Sequence, residues 1–292
     1  MAGRMPGGLP RNWDRDGIMQ TDRGQLLGGK ALAARQFARC VSTYDGAAIV
    51  QLEMARRLVD MIQRAAEPDR LANVLELGCG TGLLSTLLVR EFPVERLVLN
   101  DMAADLHGVA RRCVDIRPAL RIEVRPGDME AIALPADQDL VAASAALHWT
   151  SDPCATLQRM LSALKPRGVL AVATFGPDNL QETRSLTGRS LHYYPLSMFR
   201  SRLSRQTDVL ECYEQRRTVW FESAFAVLQH LKRTGVNSLR QQHWSPSDVK
   251  AFCRVYESRF GTGNGVPLTY HPIAWVARRR EVCQSDSFRN RH

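Results

Sequence analysis

The chain predicts a doubly wound α/β fold, a mostly parallel sheet covered on both faces. Two observations predict it. Short apolar strands alternate with helices between residues 73 and 175, and the first strand runs directly into a glycine-rich turn followed by an apolar helix. A third agrees with them: Lys165-Pro166-Arg167-Gly168 reads as a turn between helix and strand, where such a series needs one.

The elements follow in order. From about Ala31 the pattern is helical, with Phe37, Val41 and Tyr44, then Leu52, Ala55, Leu58, Val59 and Ile62, at three-to-four spacing. After Glu67-Pro68-Asp69 comes the strand Asn73–Leu77, the turn Gly78-Cys79-Gly80-Thr81-Gly82 and the helix Leu83–Leu88. Arg96–Asn100 reads as strand, Ala103–Cys113 as helix, Ile122–Arg125 and Leu140–Ser144 as strands, Pro153–Leu164 as helix and Val169–Phe175 as strand. The rhythm then changes. Helices are expected at Leu180–Leu186, Pro195–Leu203, Glu222–Arg233 and residues 245–260, the last started by Ser245-Pro246. Val209–Phe221 and Leu268–Ala277 each read as one strand. No internal repeat is visible. The expected organisation is a flexible basic extension over 1–30, a main domain over 31–280 with an insertion at 176–206, and a basic tail over 281–292.

Composition narrows the function classes. The chain has 292 residues, 45% hydrophobic and 24% charged, with a formal net charge of +9. This is a globular composition, and wholesale disorder is excluded. No apolar run approaches the ~18 residues of a membrane span. Residues 1–40 contribute +4 and residues 278–292 contribute +3, so the body is nearly neutral. A nucleic-acid partner is therefore not expected, and only local patches around Arg200–Arg205 and Lys232-Arg233 remain as sites for an acidic one. The 7 cysteines are scattered singly and form no CxxC pair, which predicts a reducing, cytoplasmic setting and no metal site.

The glycine-rich loop is preceded by an acid, giving Glu76-x-Gly78-x-Gly80-x-Gly82. Glycines let backbone turn sharply and approach a ligand closely. A dinucleotide loop would prefer GxGxxG, with a pyrophosphate on the helix N-terminus. An acid beside the loop instead suits S-adenosylmethionine, which has no phosphate and has a cationic amino-acid end. Asp101 ends the next strand, where a carboxylate can accept both ribose hydroxyls. Asp128, in Gly127-Asp128-Met129, follows the third strand and is placed to accept from the adenine amino group. One such acid is readily explained as a solvated strand end; three at successive strand ends beside the loop point to a cofactor. The candidate cofactor set is Glu76, Gly78, Gly80, Gly82, Asp101, Met102, Asp128 and Met129.

The acceptor is less constrained. Alcohol and amine acceptors need a base, whereas a carboxylate, with an unperturbed pKa near ~4, needs only alignment and a dry site. The Asn/Asp-Pro-Pro-aromatic pattern of DNA amino-methyltransferases is missing, and Ser144-Ala145-Ala146-Leu147-His148-Trp149 stands in its place.

Several segments resemble one family. Phe37-Ala38-Arg39…Tyr44-Asp45…Ala48-x-x-Gln51, Phe175-Gly176-Pro177-Asp178-Asn179-Leu180-Gln181-Glu182, Phe221-Glu222-Ser223-Ala224…Leu231-Lys232-Arg233-Thr234-Gly235 and Pro267-Leu268-Thr269-Tyr270-His271 are similar to signatures of the malonyl-acyl-carrier-protein O-methyltransferases of biotin synthesis. The resemblance spans about residues 31–280. It implies a class I methyltransferase (Rossmann-like) seven-stranded sheet with an N-terminal helical lid and an inserted helical cap after strand five. It also implies methylation of the free carboxyl of a malonyl thioester, on acyl carrier protein or coenzyme A, by a monomer that uses S-adenosylmethionine. Acyl carrier proteins are strongly anionic, which supplies the acidic partner.

Ser144 and His148 stand where the family commonly has Asn and Gln, and Leu-His-Trp occurs in the complex I assembly-factor branch, some of whose members hydroxylate arginine. That activity, and a non-catalytic cofactor-binding module, are the alternatives. Tyr44, His148 and Trp149 are candidates for the methyl-transfer site. Tyr44 either closes over cofactor and malonyl group or packs on an amphipathic helix, and His148 either lines the site or is a satisfied histidine beside Trp149. Lys232 and Arg233 meet either the carrier protein or the dipole of the helix they end. Tyr270 is either a substrate contact or core.

Overall fold

The structure is a computed structural model, and it describes residues 30–103, 105–188, 190–235 and 244–281. Nearly all of the 1–30 extension and of the 281–292 tail lies outside the described residues. The chain divides into two compact units: residues up to Glu53 with Thr174–Pro195 and Glu214–Ile273, and Met54–Ala173 with Leu196–Tyr213 and the residues from Ala274 on. The expected insertion at 176–206 is thus shared, with residues up to Pro195 in one unit and from Leu196 in the other.

The second unit is built on the sheet. Its strands are β1 (Asn73–Leu77), β2 (Arg96–Asp101), β3 (Arg121–Pro126), β4 (Gln138–Ser144), β5 (Leu164–Phe175), β6 (Thr207–Glu214) and β9 (Pro272–Arg279), ordered β3-β2-β1-β4-β5-β9-β6. The pairs from β3 to β5 are parallel. Leu75, Leu77, Leu97–Leu99 and Leu140–Ala143 are fully buried, as strands covered on both faces must be. The order reverses between β1 and β4. In open α/β sheets, ligands sit at the carboxyl ends of the strands beside such a reversal. Helices α4 (Leu83–Glu91), α5 (Leu106–Ile116), α6 (Pro153–Ala163) and α8 (Leu196–Leu203) flank these strands in sequence. Asp105 caps α5 by accepting from the Gly108 amide at 3.0 Å, and Asp152 caps α6 by accepting from Ala155 at 2.9 Å. No helix among the described residues is long and apolar enough to cross a membrane.

The first unit contains α1 (Lys30–Ala38), α2 (Val41–Ala47), α7 (Gln181–Thr187), α9 (Ala224–Arg233) and α10 (Pro246–Phe260). It also holds an antiparallel ribbon of β7 (Arg217–Phe221) and β8 (Val266–Tyr270). α10 starts where Ser245-Pro246 predicts, with a full capping box between Ser245 and Asp248. Helix α3 (Ile49–Ala65) runs across the boundary between the units.

Two expected strands are each two strands in different sheets. Val209–Phe221 breaks at Gln215-Arg216 into β6 and β7, and Leu268–Ala277 breaks at His271 into β8 and β9. The second break has a local cause. The backbone of His271 is bonded to the segment after β5 instead of to a neighbouring strand: its carbonyl accepts from Gly176 at 2.7 Å and its amide donates to Asn179 Oδ1 at 3.3 Å. The buried ring is fixed as well. Nδ1 accepts from the Asp178 amide at 3.1 Å, so Nε2 holds the proton and donates to Glu214 Oε1 at 3.0 Å. Next to it, Glu182 accepts both the amide and the hydroxyl of Thr269, at 2.9 and 2.5 Å. The expected turn Lys165–Gly168 falls inside β5, as a register irregularity against β4 with Arg167 at φ 63°. The helix expected at Ala103–Cys113 begins at Leu106.

Candidate active site

The site starts at β1. Glu76 is 1% exposed and lies between Leu99 of β2 and Ala142 of β4. Its Oε2 has no hydrogen-bond partner. Burial pushes its pKa up to about 8, against the lowering effect of the nearby Ser85 hydroxyl and with a further rise from the charge of Asp101. An orphaned, buried carboxyl beside a glycine loop is a group that a cationic ligand would ionise and satisfy.

The loop after it is shaped by two glycine requirements. Gly78 has φ +68°, and a Cβ there would lie 2.3 Å from the Cβ of Ala146 and 3.1 Å from the Met129 methyl. Gly82 has φ +86°, and a Cβ there would meet Val109 of α5 at 2.8 Å. The loop is thus pressed against the ends of β3 and β4 and against α5, positions that only glycine allows. Cys79 is buried and its thiol pKa is pushed up by that burial, so it stays protonated.

Asp101 ties the loop to β2. Its Oδ2 accepts from the Gly80 amide at 2.9 Å and its Oδ1 from the Ala103 amide at 2.7 Å. Asp128 lies two residues beyond β3 and accepts from the Glu130 amide at 2.9 Å, turning the chain so that Met129 reaches Gly78. Met102 is exposed. Beyond β4, Ala145 adopts φ 52°, a conformation that disfavours a side chain, directly before Ala146. Leu147–Trp149 forms a short 3-10 turn, and the His148 and Trp149 rings stand 5.4 Å apart. Burial of the imidazole lowers the His148 pKa to about 3, so the ring is neutral at pH 7.

The structure therefore brings Glu76, Gly78, Gly80, Gly82, Asp101, Asp128, Met129, His148 and Trp149 to one end of one sheet. Tyr44, Tyr270, Lys232 and Arg233 belong to the other unit. Tyr44 packs edge-on against Phe37 at 4.9 Å. Tyr270 is buried, with its hydroxyl 2.7 Å from His230 Nε2 of α9. Lys232 and Arg233 are exposed in the last turn of α9. Among the described residues no group of three His, Cys, Asp or Glu is placed to hold a metal ion.

Sequence reasoning missed two residues. Asn100, fully buried, donates from its side-chain amide to the carbonyls of Arg125 at 2.7 Å and Gly127 at 2.9 Å, stitching β2 to the Asp128 turn. A lone amide between the apolar run Leu97–Leu99 and Asp101 was the available signal. Glu130 accepts two consecutive amides, Ser151 at 2.8 Å and Asp152 at 2.9 Å, and so joins the Asp128 turn to the segment after Trp149. Nothing in sequence separates it from a solvated acid. Hydrogen bonds to a charged group contribute about 1.5–3 kcal/mol each. Glu130→Ala is expected to raise the KM for cofactor roughly tenfold, with Glu130→Gln restoring part of it; a steady-state KM at the wild-type value would show that the two loops hold without the bridge.

The residues fit S-adenosylmethionine. The unsatisfied Glu76 carboxyl suits its cationic end, and the Gly78 cradle admits close backbone approach.

A family model described as a methyltransferase domain matches residues 50–242. A malonyl-acyl-carrier-protein O-methyltransferase of Bacteroides fragilis is 35% identical over 264 residues, 90% of this chain, which spans about half (53%) of that protein's length. The proteins of that name from Bacteroides thetaiotaomicron and Haemophilus ducreyi are 34% and 36% identical, over 87% and 86% of this chain and 99% and 97% of their own lengths. Two solved structures are similar in fold: the BH2331 protein of Bacillus halodurans (TM-score 0.54, 17% identity, 77% of this chain and 99% of that one) and the YcgJ protein of Bacillus subtilis (0.53, 17%, 78% and 100%). At this identity they speak for the fold alone.

Proposed function

Because the chain belongs to the malonyl-acyl-carrier-protein O-methyltransferase family, we propose that it methylates the free carboxyl of a malonyl thioester held on acyl carrier protein. The observation that supports this most is identity of about a third spread over nearly the whole of two relatives with that name. When bound, S-adenosylmethionine would supply an electrophilic methyl group on its sulfonium. Glu76 and Asp101 hold it by its cationic end and its ribose, and Asp128 by its adenine. The loop of Gly78, Gly80 and Gly82 gives it room, with Met102 and Met129 as apolar walls.

The protein's own remaining task is alignment and exclusion of water. A carboxylate has no proton to lose at pH 7, and a His148 with its pKa near 3 is too weak a base to take one. Neutral His148 and Trp149 therefore act as walls of a dry site. This reading favours a carboxyl acceptor over an alcohol or amine, and the relatives' shared name favours it over arginine hydroxylation or a non-catalytic module.

In this reading the protein is a cytoplasmic monomer, with the carrier protein as its macromolecular partner and neither nucleic acid nor membrane. Its product is the methyl ester that primes pimelate formation for biotin. Expression in a strain that lacks the biotin methyltransferase is expected to restore growth without added biotin. A strain that expresses the folded protein and still requires biotin would argue for one of the alternatives.

A further inference from the structure

We propose that the outward face of α9 is the docking surface for an acidic surface of the carrier protein; the proposal rests on the reading that the malonyl group is carried on that protein. Helix α9 is amphipathic. Ala224, Val227, Leu228 and Leu231 are buried, at the spacing of one helical face. Phe225, Gln229, Lys232 and Arg233 are exposed and share the opposite face, at the same spacing. Phe225 is 51% exposed.

The cations of this face are available. Arg216 and Arg217 at the start of β7 are neutralised within the same unit, by Asp178 at 2.6 Å and Glu53 at 2.8 Å. Among the described residues no carboxylate pairs with Lys232 or Arg233. Glu222 is the acid of the adjoining turn.

Favourable interaction with the helix dipole accounts for cations in the last turn. It does not account for an exposed phenylalanine at the other end of the same face. An exposed aromatic side chain on the same face as cations that have no carboxylate partner among the described residues is the composition of a protein interface whose partner is anionic. The complementary surface carries carboxylates and an apolar side chain. The body of this chain is close to neutral, so this local pair of charges decides the sign of the patch.

The test compares two substrates: malonyl-holo-acyl-carrier protein, and malonyl-pantetheine, which has the same reacting group without protein or phosphate. The variants are Phe225→Ser and the double reversal Lys232→Glu with Arg233→Glu, all at exposed positions. Each is expected to lower the ratio of kcat/KM for the carrier protein to kcat/KM for malonyl-pantetheine at least tenfold. For the wild type, the ratio is expected to fall as salt is raised from ~50 to ~300 mM. A ratio equal to wild type in both variants overturns the proposal. A fall in kcat/KM that is equal for both substrates also overturns it, because these residues would then serve the fold or the transfer site. A change in molar mass by light scattering in the variants assigns the face to a second copy of the chain and overturns it too. Wild-type enzyme that methylates malonyl-pantetheine but not the carrier-bound group defeats the carrier reading itself, and the docking surface with it.

Discussion

Glu76→Gln is expected to weaken S-adenosylmethionine binding about a hundredfold while making the free protein more stable at pH 8. Both effects have one cause. The carboxyl is buried with Oε2 unpartnered, and burial has raised its pKa from 4.5 to about 8. In the unfolded chain this group ionises near 4.5, so the folded state holds the extra proton between the two values. Stability therefore falls as pH rises from about 4.5 to about 8 and levels off above that. The amide has no such titration, so the variant's gain in melting temperature should be largest at pH 8 and vanish near pH 4.5. Binding runs the other way. A cationic amino-acid end ionises Glu76 and gains a charge-assisted pair whose loss is worth about 2–3 kcal/mol. At pH 7 the wild type should release close to one proton per cofactor bound, and the variant none. Calorimetry in buffers of different ionisation enthalpy reads both numbers. Equal proton release by the two proteins would take Glu76 out of contact with the cofactor.

Asp101→Ala is expected to abolish methyl transfer and to raise the cofactor Kd at least a hundredfold, with a smaller loss of stability. The carboxylate does two things at once. Oδ2 fixes the Gly80 amide at 2.9 Å and so braces the glycine loop, and Oδ1 fixes the Ala103 amide at 2.7 Å. The remaining lone pairs are the acceptors for a ribose diol. Asp101→Asn should be almost as severe, because its NH2 would face a backbone N–H that needs an acceptor. Titration of each variant with cofactor, followed by tryptophan fluorescence, reads the effect. A Kd within threefold of wild type for both would assign Asp101 to bracing alone.

Much of the site was legible because its chemistry is local. The strand Asn73–Leu77, the glycines after it and the acids at residues 76, 101 and 128 lie within short stretches whose spacing fixes their place. Glycine at 78 is readable because only glycine takes φ +68° with Ala146 so close. Ala145 at φ 52° is not, since alanine gives no hint of such a backbone. The breaks at Gln215-Arg216 and His271 were hidden for a different reason. β8 and β9 are buried along almost their whole length, so they read as one apolar run. What separates them is a set of bonds from His271 to Gly176, Asp178 and Asn179, more than 90 residues earlier in the chain. Glu130 was invisible in the same way: its partners, Ser151 and Asp152, are ordinary loop amides 21 and 22 residues away. Most of the charge of +9 lies in the two terminal segments, and Lys232 and Arg233 end one helix with no carboxylate partner among the described residues.

The central claim is carboxyl methylation of a carrier-bound malonyl group. Its most direct test incubates the purified protein with methyl-labelled S-adenosylmethionine and malonyl-holo-acyl-carrier protein, and follows the carrier by intact-mass spectrometry. The account predicts one added methyl per carrier, removed by mild alkaline ester hydrolysis and missing with Asp101→Ala. An unmodified carrier at saturating cofactor, with a protein shown to bind that cofactor, would contradict it.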